Sequence, residues 1–174
     1  GYIKLPKLKS LVKIKVHREV KGIIKSVTVS KNSINHYYVS ILCQKEIEEL
    51  PKANKNIGVD LGIKEFAIMS DNTKVDNLKL TKKYENKLKR EQRKLSKRKE
   101  VAKNSDKKLS DSKNYQKQKK VVAKIHNKIR NKRKDFINKL STDIINNHDI
   151  ICTEDLNIKG LLKNHKLAKS ISDV

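Results

Sequence analysis

Two acidic residues stand where a carboxylate is costly. Asp60 lies in Asn56-Ile57-Gly58-Val59-Asp60-Leu61-Gly62-Ile63-Lys64-Glu65-Phe66-Ala67-Ile68, and Glu154 lies in Asp149-Ile150-Ile151-Cys152-Thr153-Glu154-Asp155-Leu156. In both, a short apolar run leads into the carboxylate near its C-terminal end. A carboxylate on an apolar strand loses hydration unless something pairs with it, and a metal ion is the usual partner. Carboxylates converging from two strands could hold ions that activate a water and stabilise the leaving oxygen of a phosphodiester. That chemistry requires the two strands to be neighbours in a parallel pair. The residues by themselves leave other readings open: Asp60 capping a turn, and Glu154-Asp155 capping a following helix.

The elements that must position this pair can be read from periodicity. Residues 56–61 and Phe66 to Met69 predict two strands of a tight hairpin, with Asp60 on a buried sheet and Gly62 keeping space open beside it. Thr73 to Leu80 gives a third, weaker strand. The period then changes. Tyr84, Leu88 and Leu95 fall at helical spacing among Lys, Arg, Glu and Gln. Asn104 to Ser112 reads as a polar loop. From about Asn114 to Asn147, the residues Val122, Ile125, Ile129, Phe136, Leu140 and Ile144 form one apolar stripe of a helix on the order of 50 Å long. Two such helices predict an antiparallel hairpin, part of it projecting from the sheet. Ile150, Ile151 and Cys152 predict a buried strand; if it is the parallel neighbour of the first, the intervening chain is long enough for the crossover.

Ahead of this lies a β-rich segment. Leu11 to Val16 alternates at period two, Ile23 to Val29 is β-branched, Lys31 to Asn35 is turn-like and Tyr37 to Cys43 returns. Glu46 to Lys55, with Pro51, reads as a linker, so residues 1–50 and 51–174 are expected to be separate parts. The fold class expected is α/β: a sheet with a long basic helical hairpin inserted at about 81–147, preceded by a small antiparallel β segment.

The formal net charge is +24, and residues 81–140 carry 24 Lys/Arg against 6 Asp/Glu, or +18 of it. A charge so concentrated points to a polyanion, nucleic acid ahead of a membrane surface. A solvated arm is the plainer alternative, but unneutralised like charges would repel. Five of the six arginines lie here. Arg90, Arg93, Arg98, Arg130 and Arg133 are the expected phosphate contacts, since the guanidinium suits phosphate forks. No apolar run approaches a membrane span and no signal peptide is evident, so a cytoplasmic protein of a bacterium or archaeon, associated with the nucleoid, is expected. Cys43 and Cys152 form no C-x-x-C pair and are expected to be buried reduced thiols rather than zinc ligands. The chain has five glycines, none adjacent, which leaves no candidate for the Gly-Gly adenosine loop of an actin-like ATPase.

Ile57-Gly58-Val59-Asp60-Leu61-Gly62-Ile63-Lys64 followed by Ala67 resembles the first RuvC motif of the OrfB/TnpB proteins of bacterial insertion sequences, long described as transposases. Ile151 to Asn157, with Leu161 to Asp173 after it, resembles the second motif and the stretch immediately C-terminal to that motif. Residues 13–43 are similar to the β-rich wedge segment that precedes the nuclease. The resemblance implies an incomplete RNase H-like (RuvC) sheet and an RNA-guided DNA endonuclease, with guide RNA and a DNA target as partners and Mg²⁺ as cofactor. By position, Asp60 and Glu154 would be two of its three catalytic, metal-binding carboxylates, with Lys64 near the phosphate. The family's third aspartate, its four-cysteine zinc ribbon and its N-terminal helical part have no counterpart here, and Asp173 comes too early to be that aspartate. With a start at Gly1 inside a strand-like pattern, a truncated copy or excerpt is expected, binding Mg²⁺ weakly and cleaving little; the alternative is a non-catalytic RNA- or DNA-binding module acting through its basic helices.

Overall fold

The computed structural model describes residues 1–106, 108–171 and 173. They form two compact units, Gly1–Glu49 and Leu50–Val174. In the first unit, β1 (Tyr2–Ile3) pairs antiparallel with β2 (Val12–Lys13). The alternation from Leu11 to Val16 promised a longer strand, but a strand persists only where a partner takes its hydrogen bonds, and β1 is two residues long. The hairpin of β3 (Ile23–Lys31) and β4 (Tyr37–Gln44) is fuller, with an irregularity between Ile24 and Ser26. Its turn is built as the sequence predicts. Asn32 Oδ1 accepts from the N–H groups of Ile34 and His36 at 3.0 and 2.9 Å, and Asn35 takes the left-handed conformation.

The second unit is α/β. Its four strands, β5 (Asn56–Leu61), β6 (Glu65–Met69), β7 (Lys74–Asp76) and β8 (Ile150–Thr153), form one sheet in the order β7-β6-β5-β8. The hairpin of β5 and β6 is antiparallel, with Asp60 opposite Ile68. Gly62 is required at its turn, because a Cβ there would come within 2.9 Å of the Glu65 carbonyl oxygen. Of the third strand expected over Thr73 to Leu80 only β7 (Lys74–Asp76) forms, and Leu80 already belongs to the helix that follows. Then come α1 (Leu80–Asn104) and α2 (Lys113–Asn147), within a residue or two of the periodicity reading. β8 (Ile150–Thr153) returns parallel to β5. Two single turns close the chain, α3 (Ile158–Leu161) and α4 (Ala168–Ile171).

The two long helices pack antiparallel through Leu80, Ile125 and Ile129, with Tyr84 and Leu88 against them. Val122 is buried too, while Phe136, Leu140 and Ile144 farther along the stripe are half-buried. Phe136 meets Phe66 of β6 edge to face at a centroid distance of 4.9 Å, which ties α2 to the sheet. Ile57, Ala67 and Met69 are the buried residues of the sheet itself.

Burial corrects two expectations. β8 is exposed along its length, because it ends the sheet and no described element covers it. For the same reason Cys152 is exposed, while Cys43 is half-buried; neither is in a disulfide. No described helix is long and apolar enough to cross a membrane.

Candidate metal centre and basic arm

The parallel ladder of β5 and β8 runs from Asn56↔Ile150 to Val59↔Thr153. Continued by one residue, it sets Asp60 beside Glu154 on strands about 4.8 Å apart. Alternate residues share a face of a strand. Gly58 to Asp60 of β5, Ile68 to Ser70 on the β6 side and Cys152 to Glu154 on the β8 side line one open cleft of ≈ 470 Å³. Gly58 presents no side chain to it, and its backbone is held by a reciprocal pair: its N–H donates to Ser70 Oγ at 3.0 Å, and its carbonyl accepts from the Ser70 N–H at 2.9 Å.

Asp60 is exposed, not held on a buried sheet as the apolar run suggested. The cleft opens to water, so its carboxylate keeps its hydration and needs no partner to exist there. Glu154 is exposed as well. Among the described residues neither carboxylate accepts a hydrogen bond, and no group of three or more His, Cys, Asp or Glu side chains converges to hold a metal ion. The pair therefore offers two hard oxygen ligands facing solvent. Glu154-Asp155 does not cap the following helix. Asn157 does that, its Oδ1 accepting from the Gly160 N–H at 2.9 Å.

The candidate arginines divide by surroundings. Arg93 lies with Lys89, Gln92, Ser96, Lys97 and Glu100 along an open groove on α1. Arg90, largely exposed, reaches Glu91 Oε1 at 3.0 Å. Arg98 donates to the Asn114 carbonyl at 3.0 Å across the hairpin, and Arg130 to Asn127 Oδ1 at 2.6 Å. Arg133 is different. Its Nη2 donates to Asp173 Oδ1 at 2.9 Å and to Thr81 Oγ1 at 3.4 Å, and its side chain is 31% exposed.

Asp173 is the unforeseen member of that group. Its Oδ1 accepts from the Thr81 N–H at 2.8 Å and its Oδ2 from that of Lys82 at 3.4 Å. α1 begins behind Lys79, a left-handed residue with no side-chain cap. A carboxylate from the far end of the chain thus serves the exposed N–H groups of the helix. Burial pushes the Asp173 carboxyl up, but the Thr81, Lys82 and Arg133 hydrogen bonds outweigh it and hold the group below its ordinary value. Nothing in the sequence pairs residue 173 with residue 81, and the carboxylate was legible only as too early for a catalytic one.

Glu91 is the second unforeseen carboxylate. Buried between α1 and α2, it accepts from Gln118 Nε2 at 2.8 Å, Arg90 Nε at 3.0 Å and Lys94 Nζ at 3.1 Å. Hydrogen bonding from Gln118 first, then from Lys94 and Arg90, lowers its carboxyl to about 2.

The family model OrfB_IS605, described as "Probable transposase", matches residues 26–165. A protein of Streptomyces pristinaespiralis named "Putative RNA-guided DNA endonuclease" is 34% identical over 148 residues, 85% of this chain and 34% of that protein. One of Escherichia coli (strain K12) with the same name and the suffix InsQ is 34% identical over 162 residues, 92% of this chain and 37% of that protein. TnpB-like protein L770 of Acanthamoeba polyphaga mimivirus is 27% identical over 151 residues, 86% of this chain and 29% of that protein. The chain thus spans about a third of the length of these relatives.

Proposed function

The chain belongs to the OrfB_IS605 family of probable transposases, and from that premise we propose that it carries part of the nuclease centre of an RNA-guided DNA endonuclease on an RNase H-like (RuvC) sheet. One observation supports the reading: Asp60 and Glu154, ninety-odd residues apart in sequence, both line one cleft, each one residue past the last pair of the parallel β5–β8 ladder. Two carboxylate oxygens from separate strands fit Mg²⁺, a hard cation that takes one or two carboxylates and keeps several waters. When bound, the ion would supply an activated water and charge neutralisation at the leaving oxygen of a phosphodiester. Asp60 and Glu154 would hold it, in a cleft that opens to solvent.

The partners are inferred in the same way. The relatives' names support a guide RNA and a DNA target. The +18 carried by residues 81–140 supports α1 and α2 as the surface that meets their phosphates. Arg93 stands most openly for that role.

Titration of Mn²⁺ and Mg²⁺ into the 174-residue chain tests the centre. Binding is expected to be weak, because two ligands leave most of the coordination sphere to water. Asp60→Ala and Glu154→Ala should each lower the affinity by more than about tenfold. Equal affinity in both variants and the parent chain would sink the site. The chain by itself is expected to nick supercoiled DNA little in Mg²⁺, two carboxylates being too few to fix the attacking water. Robust cutting that disappears in Asp60→Ala would overturn that expectation.

A further inference from the structure

The ladder joining β5 to β8 is four residue pairs long, and both carboxylates lie one residue beyond its last pair. Their shared face depends on register alone. Little else specifies that register. No tight turn joins the strands, since β6, β7 and both long helices intervene. β8 is exposed throughout and ends the sheet, so no buried face selects one alignment over its neighbours. Register is weakly specified under those conditions, and a slip of one residue turns every side chain to the opposite face.

Asp149 stands at the open end of this ladder. Its Oδ1 accepts from the Ala53 N–H at 2.9 Å, its Oδ2 from the Asn54 N–H at 2.7 Å, and its own N–H donates to the Lys55 carbonyl at 2.8 Å. Three hydrogen bonds thus lock residue 149 to residues 53–55 immediately ahead of the first pair, Asn56↔Ile150. A carboxylate suits the place because it brings two acceptors and no donor. Asn54 holds a left-handed backbone, φ 53°. That is the kind of turn that aims successive N–H groups at one anion.

We propose that Asp149 is a positioning residue for the carboxylate pair: by clamping residues 53–55 it sets the β5–β8 register that brings Asp60 and Glu154 to one face of the cleft. The functional consequence rests on the nuclease reading; the clamp itself does not. A one-residue slip would put Glu154 behind the sheet. A two-residue slip would carry it about 6.6 Å along the strand, too far to share an ion with Asp60.

The test uses the full chain and reads register and ion separately. Nuclear Overhauser effects between β5 and β8 report the register, and Mn²⁺ titration reports the pair. Asp149→Ala should abolish or average those from Asn56/Ile150 to Val59/Thr153 and lower Mn²⁺ affinity about tenfold or more. Asp149→Asn, which keeps one acceptor, should fall between it and the parent. Asp135→Ala, which removes an exposed carboxylate paired with Lys139 on α2, should change neither. Unaltered β5–β8 Overhauser effects in Asp149→Ala overturn the proposal, whatever the ion does. Should Asp149→Ala not fold, hydrogen exchange in the parent chain decides. The Ala53 and Asn54 amides must then be protected like those of the ladder, and fast exchange at both overturns the clamp. Mn²⁺ affinity indifferent to Asp60→Ala would instead refute the nuclease reading, leaving the register measurement to judge Asp149.

Discussion

The cleft and the helical hairpin each hold acidic side chains, and they treat them in opposite ways. Glu91, buried between α1 and α2, is saturated: Gln118, Arg90 and Lys94 all donate to it. Asp60 and Glu154 lie exposed at paired strand ends, and among the described residues nothing donates to either. A buried carboxylate without donors would be strongly destabilising, so Glu91 makes sense as part of the packing that joins two helices. Exposed carboxylates brought to one face, with their lone pairs unused, contribute nothing comparable to folding. Their value lies in what they can still bind. The difference teaches that the work of an acid here is told by what already occupies its oxygens, and not by the apolarity of the run that contains it.

The largest effect expected on the hairpin side comes from Gln118, 3% exposed. Gln118→Leu keeps the volume but removes the amide donor to Glu91, leaving buried acceptors short of a partner at a cost of about 1–3 kcal/mol. Urea unfolding measured by helical circular dichroism reads it. Mn²⁺ affinity should not move, and the converse should hold for Asp60→Ala, with stability within about 0.5 kcal/mol of the parent. A shared effect, in which either substitution disturbs both quantities, would break the contrast between the two regions.

Much of this arrangement was legible in the chain, and the failures have a common physical origin. The helices came out nearly at their observed ends because Lys, Arg, Glu and Gln are good helix formers and the Val122–Ile125–Ile129 stripe has a clear period. The two acidic strands could be read from their apolar runs, whereas their parallel pairing entered only as a condition of the chemistry and is supplied by the β5–β8 ladder. Exposure could not be read. Ile150 and Ile151 read as buried because β-branched runs usually are, yet whether anything covers a sheet face depends on elements far away in sequence. Glu91–Gln118, Asp149–Ala53 and Asp173–Thr81 share that property. Each member alone looks like an ordinary surface residue, and only tertiary register joins them.

Acid provides a smaller, graded test. The Glu91 carboxyl is lowered from 4.5 to about 2 in the folded chain. A carboxyl depressed on folding contributes stability that is complete above its unfolded value, near 4.5, and is lost as pH falls through about 2. Glu85 behaves alike, lowered to about 2 by Lys169 first and Lys89 second. Thermal midpoints should therefore be level from neutrality to about pH 4.5 and decline between there and about pH 2. Glu91→Gln should remove part of the decline and Glu85→Gln another part. An acid slope unchanged in Glu91→Gln would mean that its hydrogen bonds do not distinguish the folded state, and the saturated half of the contrast would lose its basis.

Cations of the arm follow the same rule, with the smallest expected effect. If an acid is judged by what occupies its oxygens, an arginine is judged by what occupies its nitrogens. Arg133 is engaged by Asp173 and Thr81, whereas Arg93 faces the open groove on α1. Removing one phosphate-binding side chain should shallow the dependence of log affinity on log salt by roughly 0.9 on duplex DNA. Arg93→Ala is expected to reduce the slope by about that much and leave folding stability alone. Arg133→Ala should leave the slope in place and loosen the start of α1, where Asp173 would lose its cation while still capping Thr81 and Lys82. Duplex binding at several salt concentrations, read beside thermal melts, separates them. If Arg133→Ala shallows the slope as Arg93→Ala does and melts like the parent chain, then the clasp with Asp173 yields to phosphate. Occupancy in the free protein would then be a poor guide to which side chains of the arm engage nucleic acid.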